Sequence, residues 1–359
     1  NTLGLTPKNS LKLTENFYKN ELNINAVNGW RDNNWLNLNS SLGYSIARLL
    51  GSSKNNVILS DSTSVNLFKV FYAAVKRHKK RKIILSDNKN FPTDKYIIDS
   101  IARNNDLKVK YLPRHKLFEN INKDISIICS TQVDYITGEK LDLESLTNRA
   151  KKNNVTTIWD LSHSVGILPL KLDKWGVDYA VGCTYKYLNG GPGSPSFIYV
   201  NKKNILSSEN ILSGWFGHIN PFNFEKKYIP ANNINKFLTG TPSIVSMKQL
   251  EASLEVFSKT NVYELRKKSL AQTTLFIDLI EQKRKADNFD IFKPNNKQLR
   301  GGHVSIRHKN ASKLIKLIEK KGLIGDYRPP YTIRFGISPL YNSYLDIWKA
   351  SNIFLNLIK

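Results

Sequence analysis

Ala180-Val-Gly-Cys-Thr-Tyr-Lys-Tyr-Leu-Asn-Gly-Gly-Pro-Gly-Ser-Pro195 is the stretch on which the fold turns. It continues an apolar run over 177–183 that reads as a buried strand, and it ends in a glycine-rich loop. Lys186 stands where the strand gives way to the loop. Upstream, Val155-Thr-Thr-Ile-Trp-Asp160 is a second β-branched run that closes on a carboxylate. Both polar groups then sit at the C-terminal ends of parallel strands, the edge at which open α/β sheets bind ligands. Lysine amines shift pKa readily when desolvated, and a carboxylate against a pyridine nitrogen keeps that nitrogen protonated. A Schiff-base lysine with an aspartate 26 positions before it (186 − 160) is the pair that pyridoxal phosphate (PLP) chemistry needs.

Working outward, residues 55–200 alternate short β-branched runs with amphipathic stretches. Strands are predicted at 57–60, 82–85, 109–112, 125–129, 155–160, 177–183 and 196–200, with helices at 64–78, 93–104 and 143–153. Such alternation predicts an α/β fold with a mostly parallel seven-stranded sheet covered by helices on both faces. Beyond 200 come loops rich in Gly, Pro and Asn, then long helices at 244–258 and 262–284. A smaller α+β unit follows, with strands at 304–307 and 332–336 and helices at 311–321 and 343–357. The organisation expected is an N-terminal arm over 1–30, a large PLP-binding domain over 31–255 and a small C-terminal domain over 256–359.

The composition excludes several function classes. The chain has 359 residues, 40% of them hydrophobic and 11% aromatic, as in a folded globular protein. Its formal charge of +25 invites a nucleic-acid reading. The 41 Lys, 13 Arg and 40 Asn are dispersed, however, and look like a compositional bias. The densest basic run, 76–82, reads as a solvated helix C-terminus, where cations favour the dipole. No nucleic-acid or membrane partner is expected, since no apolar run approaches about 18 residues. No signal peptide is visible. Cys129 and Cys183 lie in apolar surroundings and suit reduced thiols of a cytoplasmic protein. The six histidines are scattered without metal-ligand spacing, so no metal is expected. With Asn1 first and Met247 the sole methionine, translation is expected to start upstream.

Four further patterns bear on a PLP site. Ser60-Asp-Ser-Thr-Ser-Val-Asn66 follows a strand and opens a helix, so its hydroxyls and free N–H groups suit a phosphate. Taken alone it is an ordinary N-cap. Asn90-Phe-Pro-Thr-Asp94 offers Phe91 to stack on a pyridine ring, or is simply a capped turn. Asp160-Leu-Ser-His163 joins the ring-nitrogen carboxylate to a histidine that, in isolation, reads as structural. Arg334, in Thr332-Ile-Arg-Phe-Gly336, could fork a substrate carboxylate or lie on a surface strand.

Together these residues resemble the kynureninase family, PLP enzymes of the aspartate-aminotransferase-like fold type I. The match runs through Asn-Thr-Leu-Gly at 1–4, Asp-Ser-Thr-Ser-Val-Asn-Leu-Phe-Lys at 61–69 and Phe-Pro-Thr-Asp at 91–94. It continues through Tyr-Ile-Thr-Gly at 135–138, Asp-Leu-Ser-His-Ser-Val-Gly at 160–166, Trp175 to Gly193, and Gly-Trp-Phe-Gly-His at 214–218. Phe-Leu-Thr-Gly-Thr-Pro at 237–242 and Pro-Leu-Tyr-Asn-Ser at 339–343 complete it, so it spans essentially the whole chain.

The resemblance implies hydrolysis of L-kynurenine to anthranilate and L-alanine, a place in tryptophan breakdown and NAD supply, and a cytoplasmic homodimer with shared active sites. Lys186 would carry PLP and move the substrate's Cα proton, with Tyr185 helping proton transfers. Asp160 would face the ring nitrogen, and Phe91 would stack on the ring. Thr63, Ser64 and Tyr185 would hold the phosphate, with Trp215 and Thr241 contributed by the neighbouring subunit. Asp94, Thr131 and His163 fall at cofactor-contact positions. Arg334 would take the substrate carboxylate, and Thr2 keeps the hydroxyl of a substrate-contact serine. Trp30, Gly240 and Thr241 follow the bacterial pattern that favours kynurenine over its 3-hydroxy form. Family members carry a helix and short strand before the 1–4 motif, expected to wall one side of the site.

Two other readings are weighed. A cysteine desulfurase-like lyase of the same fold would have histidines where Tyr185 and Phe91 stand, and a loop cysteine nucleophile. A non-catalytic basic nucleic-acid-binding protein on a PLP scaffold would have no need of the cofactor positions retained here.

Overall fold

The computed structural model describes residues 3–78, 80–282 and 289–358. Seven strands form the large sheet: β1 (Val57–Ser60), β2 (Ile83–Asp87), β3 (Lys108–Leu112), β4 (Ile125–Thr131), β5 (Thr156–Asp160), β6 (Tyr179–Gly182) and β7 (Ser196–Val200). Their spatial order is β1-β7-β6-β5-β4-β2-β3. The pairings from β3 through β6 are parallel, and β7 runs antiparallel to both β6 and β1. The expected seven-stranded, mostly parallel sheet is therefore present, with the 196–200 strand returning along it.

Successive side chains of a strand point to opposite faces, and here both faces are buried. Leu59, Leu85, Ile128, Trp159, Ala180 and Tyr199 enter one core. Their neighbours Ile58, Ile84, Ile127, Ile158, Val181 and Ile198 enter the other. This is why the strands read as continuous apolar runs rather than alternating ones.

The principal helices are α1 (Asn9–Asn16), α2 (Leu38–Leu49), α3 (Thr63–Val75), α4 (Pro92–Asn104), α5 (Leu143–Lys152), α6 (Ile244–Ser258), α7 (Val262–Gln282), α8 (Ala311–Lys320) and α9 (Tyr344–Leu357). Leu42 and Ile46 of α2, Leu146 of α5 and Met247 and Leu250 of α6 cover the first face. Leu67, Val70 and Phe71 of α3 and Ile98 and Ile101 of α4 cover the second. Helix α3 stops at Val75, short of the expected 78, and the His78 ring instead meets the Thr156 hydroxyl at 2.8 Å. Residues 283 and 284, expected to end α7, lie outside the described residues.

The N-terminal segment is docked. After α1 it makes a π-helical turn, Phe17–Leu22, that buries Glu21. Trp35 Nε1 donates to Glu21 Oε2 at 2.8 Å, and the Lys248 amine of α6 lies 3.2 Å from Oε1.

The C-terminal part holds a four-stranded antiparallel sheet of β8 (Phe289–Phe292), β9 (His303–His308), β10 (Asp326–Arg328) and β11 (Thr332–Gly336), in the order β10-β11-β9-β8. Its apolar side packs on α7, α8 and α9 through Phe276, Ile280, Leu314, Ile318 and Phe354. β9 and β11 are the strands expected from the sequence, whereas β8 and β10 are not foreshadowed there. These are edge strands of three or four residues whose strand character comes from pairing. Among the described residues no helix is long and apolar enough to cross a membrane.

Candidate active site

The C-terminal ends of β1 and β5 and the segment after β6 converge on a cavity of about 530 Å³. Its lining includes Asp61, Thr63, Ser64, Phe91, Asp94, Asp160, Tyr185, Lys186, Gly240 and Thr241. Lys186 comes four residues after the end of β6; its Nζ lies 5.9 Å from the Phe91 ring centre and 5.7 Å from that of Tyr185. The loop beneath it is braced from several sides. Thr184 Oγ1 donates to the Pro195 carbonyl at 2.6 Å, Gly190 N–H donates to the Thr184 carbonyl at 3.0 Å, and Ser253 of α6 donates to the Leu188 carbonyl at 2.5 Å. Gly191 adopts φ +83°, a region open to glycine, and a Cβ there would lie 2.7 Å from Gln249 Oε1.

Asp160 ends β5, where its Oδ1 accepts the Ser162 N–H at 2.7 Å. Ser162 Oγ in turn accepts the Cys183 N–H at 3.1 Å, tying the Asp160 turn to the Lys186 segment. Asp94, in the first turn of α4, is buried beside Asp160. Burial, and then the Asp160 charge and hydrogen bond, lift its carboxyl well above the usual range, while Lys186 opposes. Asp94 therefore favours its protonated form. Burial, followed by the charges of Cys183 and Asp160, pushes the Tyr185 phenol up, so it stays protonated.

The anion end is built by α3. Ser62 caps the helix by accepting the Val65 N–H at 3.4 Å, and Thr63 Oγ1 sits 2.7 Å from Ser196 Oγ of β7. A helix start with free N–H groups and hydroxyls is an anion site.

The remaining predicted residues are placed differently. Thr131, at the end of β4, and His163 are buried just beyond the cavity lining; Thr131 Oγ1 and His163 Nε2 have no partner among the described residues. Burial, then Lys186 and His303, hold His163 neutral. Arg334 is 2% exposed on β11, where its guanidinium donates to Asp326 and to the Tyr135 carbonyl. Trp30 and Trp215 do not line the cavity. They meet edge-to-face at 6.0 Å in an aromatic cluster with Phe216 and Phe222. Thr241, assigned by resemblance to a neighbouring subunit's site, lines its own chain's cavity together with Gly240. Thr2 lies outside the described residues.

Two residues escaped the sequence reading. His303 on β9 places its ring 5.8 Å from His163, and burial keeps it neutral too. A lone histidine in a C-terminal strand carries no local signal. Lys69, on the apolar run of α3, is fully buried under the cavity floor. The signal existed: one lysine amid Leu67, Phe68, Val70 and Phe71.

The residues present fit PLP. An aromatic face, an amine, a ring-nitrogen carboxylate and a helix start surround one space, and Asp94, which lines it, has a buried Oδ2 without a partner among the described residues.

Comparison with known proteins agrees. Residues 265–354 match the kynureninase C-terminal domain family. The chain is 38% identical to the kynureninase of Pseudomonas fluorescens, covering 98% of this chain and 86% of that one. It is 37% identical to that of Deinococcus radiodurans, over 98% and 87%. Among solved structures, an apo cysteine desulfurase from Thermococcus onnurineus NA1 superposes with a TM-score of 0.86 at 15% identity, over 100% and 93% of the two chains. A C-DES mutant with glycine linked to its PLP cofactor gives 0.87 at 15% identity, over 99% and 94%. At such identities these two structures establish the fold, PLP fold type I. The identity to the curated relatives, sustained along nearly the entire length, establishes more: the chain belongs to the kynureninase family, PLP-dependent hydrolases acting on a carbon–carbon bond.

Proposed function

We propose that the cavity beside Lys186 hydrolyses L-kynurenine to anthranilate and L-alanine. The observation that carries this reading is the convergence of Lys186, Asp160, Phe91 and the start of α3 on one space. PLP, when bound, supplies the electron sink for charge developing at the substrate's Cα. Lys186 would hold the cofactor and take the Cα proton. Asp160, oriented by the Ser162 N–H, would face the ring nitrogen, with Phe91 against the ring. Thr63, Ser64 and Tyr185 would hold the phosphate, and Asp94, Thr131 and His163 would flank the cofactor. Hydrolysis consumes one water at the γ-carbonyl and breaks Cβ–Cγ; the protonated Tyr185 phenol would serve the proton transfers. Arg334, fixed by Asp326 and the Tyr135 carbonyl, would receive the substrate carboxylate.

Kynurenine, rather than 3-hydroxykynurenine, is the preferred substrate in this reading. Gly240 leaves open space in the cavity wall, with nothing within 4 Å of a Cβ built there, and Trp30 is committed to its aromatic cluster. A homodimer is inferred as well. Trp215 stands apart from its own chain's cavity beside exposed Phe222 and Phe224, which supports its serving a neighbouring copy. The buried, free thiols of Cys129 and Cys183 support a cytoplasmic setting. They also count against a desulfurase-like reaction, for burial pushes the Cys129 thiol well up and leaves no reactive thiolate there.

Supplying the PLP-loaded protein with each substrate tests the reading. We expect anthranilate and alanine from kynurenine, with kcat/KM at least about tenfold above that for the 3-hydroxy form, the scale of one pocket contact. Absence of anthranilate would sink the activity; preference for the 3-hydroxy form would sink the selectivity.

A further inference from the structure

Lys69 is a buried cation that the chemistry above does not use. It lies on α3, is fully excluded from solvent, and its Nζ donates three hydrogen bonds: to Asp61 Oδ2 at 2.5 Å, to the Phe237 carbonyl at 2.6 Å and to Ser60 Oγ at 3.1 Å. Ser60 Oγ also donates to Asp61 Oδ2 at 2.6 Å. All three ammonium protons are accounted for.

Two features make this contact more than packing. First, Asp61 lines the same cavity whose floor is the α3 start, so a carboxylate stands beside an anion site. The cavity's lining carries three carboxyl groups, Asp61, Asp94 and Asp160, against a single lysine, Lys186, a set poor in positive charge for a phosphate-bearing ligand. Second, Asp61 sits at φ +27°, a left-handed conformation uncommon outside glycine, asparagine and aspartate. Its carbonyl accepts the Ser196 N–H at 2.8 Å, and its carboxylate is held by Lys69. The Phe237 carbonyl begins the segment that carries Gly240 and Thr241 into the cavity lining.

We propose that Lys69 is a positioning residue for the cofactor phosphate: from beneath the cavity it neutralises Asp61 and pins the 60–64 turn to the 237–241 segment, so that the turn accepts a dianion. The proposal rests on the reading that this turn holds the phosphate. It predicts an effect that depends on the phosphate itself and not on the pyridine ring.

The test compares binding of PLP and of pyridoxal, which lacks the phosphate, to the apo-protein by absorbance titration. The native protein should prefer PLP. Lys69→Met should weaken PLP by about ten- to a hundredfold, the scale of one unscreened charge pair in a partly buried site. Pyridoxal binding should change by less than about threefold, and the Asp61→Asn/Lys69→Met double variant should regain most of the PLP affinity. Equal loss for both ligands, no loss for PLP, or a double variant as weak as Lys69→Met would overturn the proposal. If Lys69→Met does not fold, Asp61→Asn alone decides: with the cation kept and the anion removed, PLP binding must hold or tighten, and a loss beyond about threefold overturns the charge argument. A Thr63→Ala/Ser64→Ala variant separates the two levels. Selective loss of PLP there, with none in Lys69→Met, leaves the phosphate reading standing and removes Lys69 from it. A native protein that binds PLP and pyridoxal alike removes both.

Discussion

The backbone N–H of Gly4 donates to the carbonyl of Tyr185 at 2.9 Å, laying the N-terminal segment across the loop that carries Lys186. A Cβ on Gly4 would come within 2.2 Å of the Lys186 carbonyl oxygen and 1.9 Å of Asn189 Oδ1. The first of these is backbone and cannot swing away. Gly4→Ala should therefore displace either the segment or the lysine loop, costing roughly 1–3 kcal/mol as other overpacked sites do. Urea denaturation measures the cost, and kcat/KM for kynurenine should fall with it. An Ala variant of native stability and activity would show that the contact is dispensable.

Lys186→Ala should give a colourless protein with no turnover, because no other lysine lines the cavity. Absorbance of the PLP-treated variant and product formation check it; a yellow, active variant rejects the assignment.

Asp94 predicts a pH dependence of the apo-protein. Its folded pKa is raised, so the folded state binds this proton more tightly than the unfolded chain does. That contribution is complete below the ordinary aspartate range near pH ~4 and is lost as pH rises through the raised value. Asp94→Asn imitates the protonated carboxyl. It should flatten the fall in apo stability with rising pH, read by denaturation at several pH values. Asp160→Asn should damage activity far more than Asp94→Asn, since Asp160 is the carboxyl assigned to the ring nitrogen.

His78 acts with the opposite sign. Burial, followed by the charges of Arg81 and Arg77, lowers its pKa from 6.5 to about 4. Its stabilising contribution is present above pH 6.5 and drains away as pH falls toward 4. The residue is partly buried, so the amount at stake is on the order of 1–2 kcal/mol after screening. His78→Asn should reduce the loss of stability between pH 6.5 and 4, although the buried neutral His163 and His303 keep some of it. An unchanged acid profile would contradict the assignment.

Arg334→Lys tests the carboxylate role. A planar fork becomes a point charge, a non-conservative change at a bidentate site. KM for kynurenine should rise by about tenfold or more, the worth of one charge-assisted pair. PLP binding, measured separately, should be nearly unchanged; a loss confined to PLP binding would move Arg334 from substrate to cofactor.

Much of this was legible from local pattern. Ile127, Cys129 and Ile158 on one face, with Ile128 and Trp159 on the other, made continuous apolar runs that only a doubly covered parallel sheet explains. Asp160 and Lys186 could be placed at one edge because a parallel strand's end is set by where its apolar run stops. Thr63, Ser64 and Phe91 followed from helix starts that come directly after strands. Edge strands β8 and β10 were not legible, since three or four residues carry too little pattern, even though each pairs with the strand that follows it in the chain.

Local sequence thus determined the sheet, its order of alternating elements and the chemistry available at its C-terminal edge. These depend on side-chain period and on residues close in the chain. Tertiary structure alone decided which distant groups meet: His303 beside His163, Lys69 against the Phe237 carbonyl, and Trp215 with Trp30 away from the cavity. The reason is burial. A side chain's charge, partner and accessibility are set by what packs against it, and for these residues that comes from elements far along the chain.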